Sequence, residues 1–112
     1  GCNYELNIVN VLKKLGFDAV TSRAESRNIY AKKVDVFSPE GSKNPLPVYI
    51  QAKNTKDNFK VADYYNENEY IFPKGKPIVI FHKKTKKSKT NFITEGEFVY
   101  MKKSDFYNIL LS

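Results

Sequence analysis

Val34-Asp35-Val36-Phe37 and, further along, Val48-Tyr49-Ile50-Gln51-Ala52-Lys53 decide how this chain folds. Both segments are rich in β-branched and aromatic residues, so both are predicted strands. Alternation along the second puts Gln51 and Lys53 on one face and Val48, Ile50 and Ala52 on the other. An acid inside one strand, and an amide two residues before an ammonium in the next, are costly to half-bury. Paired side by side, they form an oxygen-rich pocket beside one lysine, the set that metal-assisted phosphodiester hydrolysis requires.

On the N-terminal side, residues 4–15 predict an amphipathic helix. Ile8, Val9, Val11, Leu12 and Leu15 recur at helical spacing, with Asn3, Asn7, Asn10, Lys13 and Lys14 on the polar side. Asn3 is the expected N-cap and Gly16 the expected stop. Glu5 breaks the pattern, because Ile8, Val9 and Leu12 follow it at i+3, i+4 and i+7. Two readings fit it: a first-turn acid favoured by the helix dipole, or a carboxylate aimed inward at a site. Residues 17–23, with Val20 and Thr21, predict a first strand. Residues 24–28 are polar and turn-prone, and 29–37 lead through the strand of Asp35. Arg23, Arg27, Lys32 and Lys33 crowd this region, either as a solvated rim or as phosphate clamps with Ser26 as an extra donor. Residues 38–47, holding Pro39, Gly41, Pro45 and Pro47, predict a hairpin connection.

Past the Gln51 strand, residues 54–58 form a polar break, with Asp57 or Asn58 available as a cap. Phe59, Ala62 and Tyr65, with Val61 and Tyr64 off that stripe, predict a second helix to about residue 68. A connector over 70–77 leads into Ile78-Val79-Ile80-Phe81, apolar on both faces and so expected to be a central, covered strand. Residues 83–89 hold five lysines in seven positions and are expected to be an exposed loop. Residues 92–101 predict one or two short strands bent near Glu95-Gly96-Glu97, and Ser104 is the expected cap of a last helix over 105–111. The sum is a single α/β domain over 1–112, a central mixed sheet of about five strands flanked by helices.

Composition narrows the partner. Nineteen Lys and Arg against twelve Asp and Glu give a net charge of +7, which favours a polyanion, nucleic acid first and an acidic membrane second. Cys2 is the only cysteine, so an intrachain disulfide and a multi-cysteine zinc site are both excluded, in keeping with a reducing cell interior. No apolar run exceeds four residues, Ile78 to Phe81 being one such, so neither a membrane span nor a signal peptide is expected. Gly1 stands where a methionine would, which suggests a trimmed start. His82 has no second His or Cys near it in sequence and is expected to be structural or at the surface. Tyr64, Tyr65 and Tyr70 could stack on bases or pack in a core or dimer.

Asp35, followed sixteen residues later by Gln51-Ala52-Lys53 in a hydrophobic strand, resembles the D…(E/Q)-x-K core of the PD-(D/E)XK nuclease superfamily. The wider pattern is similar to the archaeal-type Holliday junction resolvases: Glu5 on a first helix, Leu15-Gly16-Phe17, then Arg23-Ala24-Glu25-Ser26 ahead of Val34-Asp35. The likeness covers residues 1 to about 85 well and the tail more loosely. It implies a restriction-endonuclease-like fold and a Mg²⁺-dependent endodeoxyribonuclease of the crossover-junction type, with Mn²⁺ expected to substitute. Asp35, the Gln51 side-chain oxygen and the Ala52 carbonyl would hold the metal, with Glu5 bound directly or through water. Lys53 would orient the attacking water or stabilise developing charge, and Ser26 and Arg23 would touch the scissile phosphate. Arg23, Arg27, Lys32, Lys33, Lys83, Lys84, Lys86, Lys87 and Lys89 would contact the backbone of branched double-stranded DNA. A homodimer acting in recombination and repair is implied, cytoplasmic and associated with the nucleoid.

Two departures stand out. Val34 replaces the proline of the motif's name, and Gln51 replaces the second carboxylate, so a metal there loses one charge. The Q-x-K triplet also resembles Mrr-type restriction nucleases, which keeps a linear-DNA nuclease open, and Gln51 keeps open a DNA-binding module without chemistry.

Overall fold

The computed structural model describes residues 2–56 and 58–112. Its elements run α1 (Cys2–Lys14), β1 (Val20–Thr21), α2 (Ser22–Glu25), α3 (Arg27–Ala31), β2 (Val36–Phe37), β3 (Tyr49–Thr55), α4 (Val61–Asn68), β4 (Ile78–Ser88), β5 (Asn91–Tyr100) and α5 (Lys103–Leu111). The strands form one mixed sheet in the order β1-β2-β3-β4-β5. β1–β2, β2–β3 and β4–β5 are antiparallel, whereas β3–β4 is parallel. A parallel step needs a long crossover, and α4 with its flanking segments supplies it. The expected α/β class and mixed sheet are therefore what the chain forms.

Two apolar clusters cover opposite faces of the sheet. Tyr4, Ile8 and Val9 of α1 pack with Val36 and Ile50, and Val48, Ala52 and Phe81 join them. On the other face Val34, Phe37, Phe72 and Ile78 pack with Tyr49, Tyr64 and Tyr65. Val48, Ile50 and Ala52 thus share one face, as alternation requires. α1 stops where Gly16 turns to φ +97. Gly16 N–H donates to Lys13 O at 3.0 Å and Phe17 N–H to Leu12 O at 3.0 Å, closing the last turn in a Schellman arrangement.

Several sequence expectations are corrected. α1 begins at Cys2, so Asn3 lies inside the helix rather than capping it, and Val11 and Leu15 are exposed. The first strand shrinks to Val20–Thr21, and Arg23 sits in α2. Residues 27–31 form α3 rather than a turn and strand approach, with the Ser26 hydroxyl accepting the Ile29 N–H as an N-cap. That cap competes for a segment with little apolar alternation of its own. Asn54 and Thr55 extend β3, and α4 starts at Val61 with Lys60 at its N-cap, so Asn58 is not the cap; Asp57 lies outside the described residues. Ile78 to Phe81 is central as expected, but β4 continues through Ser88, so Lys83, Lys84, Lys86 and Lys87 are strand residues and only Lys89 is in the turn. β5 is one strand. Its ladder slips between Lys84 and Thr85, leaving Glu95 as the extra residue near the predicted bend. α5 starts at Lys103 with Lys102 at its N-cap, so Ser104 is inside it.

Candidate active site

Asp35 is pinned before its side chain is considered. Its neighbours Val34 and Val36 are fully buried on opposite faces of the sheet. Its N–H donates to Ile50 O at 2.8 Å and its carbonyl accepts Ser22 N–H at 2.9 Å, while the buried Ser22 hydroxyl donates to Val34 O. The carboxylate points at β3, where Oδ2 accepts Gln51 Nε2 at 2.7 Å and Ala52 N–H at 2.8 Å. Burial pushes the Asp35 carboxyl above its ordinary range, against the pull of the Ala52 N–H, Lys53 and Arg23.

Glu5 enters from the first turn of α1 and is 3 % exposed, so the inward reading of this acid holds. Arg23 Nε stands 3.5 Å from Glu5 Oε1, an ion-pair distance without hydrogen-bond alignment. Burial, then the Asp35 charge, raises the Glu5 carboxyl, and Arg23 opposes both. Gln51 is buried as well, with its amide nitrogen committed to Asp35 and its Oε1 without a donor.

Lys53 follows on the same face of β3, half-buried. Among the described residues it forms no ion pair, and its Nζ lies 4.5 Å from the centre of the Tyr64 ring. Burial pulls the ammonium below its ordinary range, Asp35 counters, and Lys33 adds to the depression. The salt-bridge cluster that would make these residues merely structural is not formed: the lysine faces an aromatic ring, not the acids. Tyr64 itself has a buried hydroxyl with no partner and a pKa pushed up to about 12, first by burial and then by Asp35.

Glu5, Asp35, Gln51, Ala52 and Lys53 line one cleft of about 370 Å³, together with Arg23, Tyr30, Ala31, Lys33 and Tyr64. Five elements (α1, α2, α3, β3 and α4) and the α3–β2 junction supply it, which no single sequence window could show. Ser26 is not part of it. Its hydroxyl caps α3, and it faces a separate cleft with Ser38 and Tyr49. Arg27 and Lys32 are exposed outside the cleft, while Arg23 and Lys33 are on its wall, Lys33 at φ +68. Tyr64 and Tyr30 are the residues that sequence reading missed as members of the site. The signal for Tyr64 was its place off the apolar stripe of its helix.

The donor set suits a hard cation. Among the described residues no group of three or more His, Cys, Asp and Glu converges. Two carboxylates and one amide oxygen do, and Glu5 Oε1 and Gln51 Oε1 are buried acceptors without a hydrogen-bond donor. Arg23 meets Glu5 Oε1 at ion-pair distance, which leaves Gln51 Oε1 as the buried acceptor that costs free energy until a positive group meets it, and oxygen ligands are what Mg²⁺ takes. His82 stands apart, buried, with Nε2 2.9 Å from Thr55 Oγ1 and its ring edge-on to Phe59 at 4.9 Å. It is structural, as expected.

The predicted DNA-contacting lysines divide. Lys84 and Lys86 reach Glu95 at 3.5 and 3.7 Å, Lys83 lies 5.8 Å from the Tyr4 ring, and Lys87 and Lys89 are exposed near the hairpin turn. No helix among the described residues is long and apolar enough to cross a membrane. Comparison with protein-family models, curated proteins and solved structures finds no match to this chain.

Proposed function

We propose that this chain is a metal-dependent, structure-selective DNA endonuclease of the PD-(D/E)XK type, acting on four-way junctions. The observation that carries the reading is the convergence of Glu5, Asp35, Gln51 and Lys53 in one cleft, with two buried oxygens left without donors. The element order supports a restriction-endonuclease-like core: a helix bearing an inward acid, an antiparallel run of three strands, a crossover helix and a parallel strand.

Asp35, the Gln51 oxygen, the Ala52 carbonyl and Glu5 would hold Mg²⁺, or Mn²⁺ in its place, which when bound supplies Lewis-acid polarisation and a more acidic water. The residues of the chain do the rest. Lys53, held against Tyr64, stabilises the negative charge that develops on the phosphoryl oxygens. Arg23 and Lys33, on the wall, grip flanking phosphates. Asp35 is kept in position by the Gln51 amide and the Ala52 N–H whether or not a cation is present. Symmetric paired cuts on a junction need two clefts at fixed separation, which a homodimer at the nucleoid would provide.

The same Gln51–Asp35 hydrogen bond favours the second reading, a DNA-binding module without chemistry, because it satisfies part of the acid without metal. Cleavage of a synthetic four-way junction beside a matched linear duplex, with Mg²⁺ or chelator, separates these. Metal-dependent paired nicks on the junction, lost in Asp35→Asn, are the expected result. Cleavage of both DNAs would mean a general nuclease, and junction binding without cleavage under Mg²⁺ or Mn²⁺ would end the enzyme reading.

A further inference from the structure

We infer that the outer part of the β4–β5 hairpin is a nucleic-acid-contacting arm in which Phe92 stacks on a base exposed where a duplex opens. The inference deepens the proposed function, since the DNA concerned is the one that function would cut.

Direction is the first support. β4 runs parallel to β3, pairs His82 with Lys53 and stays paired to Lys84, so the arm leaves the sheet two residues past the level of the cleft lysine. Its turn residue Lys89 lies seven positions past His82, roughly 23 Å at strand spacing, about two-thirds of a turn of B-DNA. A duplex lying at the cleft therefore runs within reach of the arm.

Exposure is the second. No residue after His82 in β4, and none in β5, is buried, and Phe92 and Ile93 are 57 % and 44 % exposed. Phe92 stands directly opposite Lys87 and Ile93 opposite Lys86, so each apolar side chain shares a face with a lysine. Lys56, at the end of β3, places Nζ 5.3 Å from the centre of the Phe92 ring.

Charge selects the partner. Beside the ring stand Lys56 and, on the same face of the hairpin, Lys87; Lys86 lies on the other face in an ion pair with Glu95, and Lys89 is in the turn. Protein–protein interfaces are depleted in lysine, whereas nucleic acids pair lysine–phosphate contacts with aromatic rings that accept a base face. In a continuous duplex every base face is already stacked; at a branch or an opening it is not, and unstacking there costs least. The lysines therefore give grip on any DNA, and Phe92 gives preference for open DNA.

Equilibrium binding in chelator, read by anisotropy on a labelled four-way junction and a linear duplex of equal length, tests this without cleavage. Phe92→Ala is expected to lower junction affinity about five- to hundredfold and to leave duplex affinity within about twofold. Lys87→Ala combined with Lys89→Ala should weaken both DNAs alike and reduce the salt slope by about 1.8. The chain has no tryptophan, so Phe92→Trp installs a single indole, whose emission under excitation that spares the tyrosines should be quenched by the junction and not by the duplex. Equal losses on both DNAs in Phe92→Ala, unquenched emission at saturating junction, or no DNA binding at low salt would each overturn the arm. Failure to cut under any divalent metal, with junction preference and quenching intact, sinks the nuclease and leaves the arm. Metal-dependent cutting with unquenched emission does the reverse.

Discussion

Lys53 and Lys87 stand on neighbouring strands of one sheet and meet opposite fates. Lys53 is half-buried against an aromatic ring in the cleft, its ammonium pulled down by burial; Lys87 is exposed beside an exposed phenylalanine. Helices on both faces enclose the strands where Lys53 sits, and where Lys87 sits the strand residues are exposed. The same residue type is thus a chemical group in the cleft and a field source on the arm. Burial makes a charge specific because water no longer screens it, and exposure leaves it general.

The contrast is broken or sharpened by single substitutions. The largest effect is expected from Lys53→Met, which should slow junction cleavage about a hundred- to thousandfold while leaving junction affinity nearly unchanged. A single-turnover assay reads it; an equal loss of binding would make Lys53 another backbone contact and erase the difference between the regions. Next is Gln51→Glu, which replaces the amide donor to Asp35 with a second carboxylate. Without metal the fold should lose about 1.5–3 kcal/mol, and Mg²⁺ should restore more than it gives the wild type, both visible in thermal unfolding. If Mg²⁺ restores nothing, the cleft does not hold the cation through residue 51.

A pH experiment follows. Burial raises the Asp35 carboxyl, so the folded protein keeps a proton that the unfolded chain releases. In metal-free protein, stability should therefore fall as pH rises from the unfolded carboxyl value through the higher folded one. Asp35→Asn should flatten that slope and raise the urea midpoint at neutral pH, although it is expected to abolish the proposed cutting. An unchanged slope would mean that Asp35 is solvated after all. The smallest effect is on the arm: Lys89 holds φ +54 in its turn, and Lys89→Gly should add up to about 1 kcal/mol of stability, measured by denaturant titration. A loss instead would show that the Lys89 side chain is held in place.

The central strands were legible because Val34 to Phe37 and Val48 to Lys53 carry strong β-formers with polar residues at one alternating position. Gly16 was legible because only a residue at ease with positive φ ends a helix in that way. The predicted caps failed at Asn3 and Ser104, where the helices start two residues earlier than their polar signals suggest. Residues 83–89 were misjudged for a physical reason. Lysine is a poor strand former in isolation, but β5 offers an antiparallel partner along the stretch, on either side of the slip at Lys84 and Thr85, and the side chains reach water on both faces. Ser26 was placed at the site by its position in sequence, whereas the backbone turns its hydroxyl onto Ile29 N–H.

What the amino-acid sequence determined is the alphabet of the cleft: Glu5 against the grain of its helix, Asp35 between valines, Gln51 and Lys53 on one side of their strand. Local periodicity is enough for that, because it depends only on which neighbours lie along the same element. Tertiary structure decided the rest. It brought α1 over the sheet so that Glu5 reaches Asp35, left two oxygens without donors, set Tyr64 under Lys53 through the crossover helix, and sent β4 past the cleft into an exposed arm. Those relations join residues far apart in the chain, and they exist only once packing fixes the distance between elements.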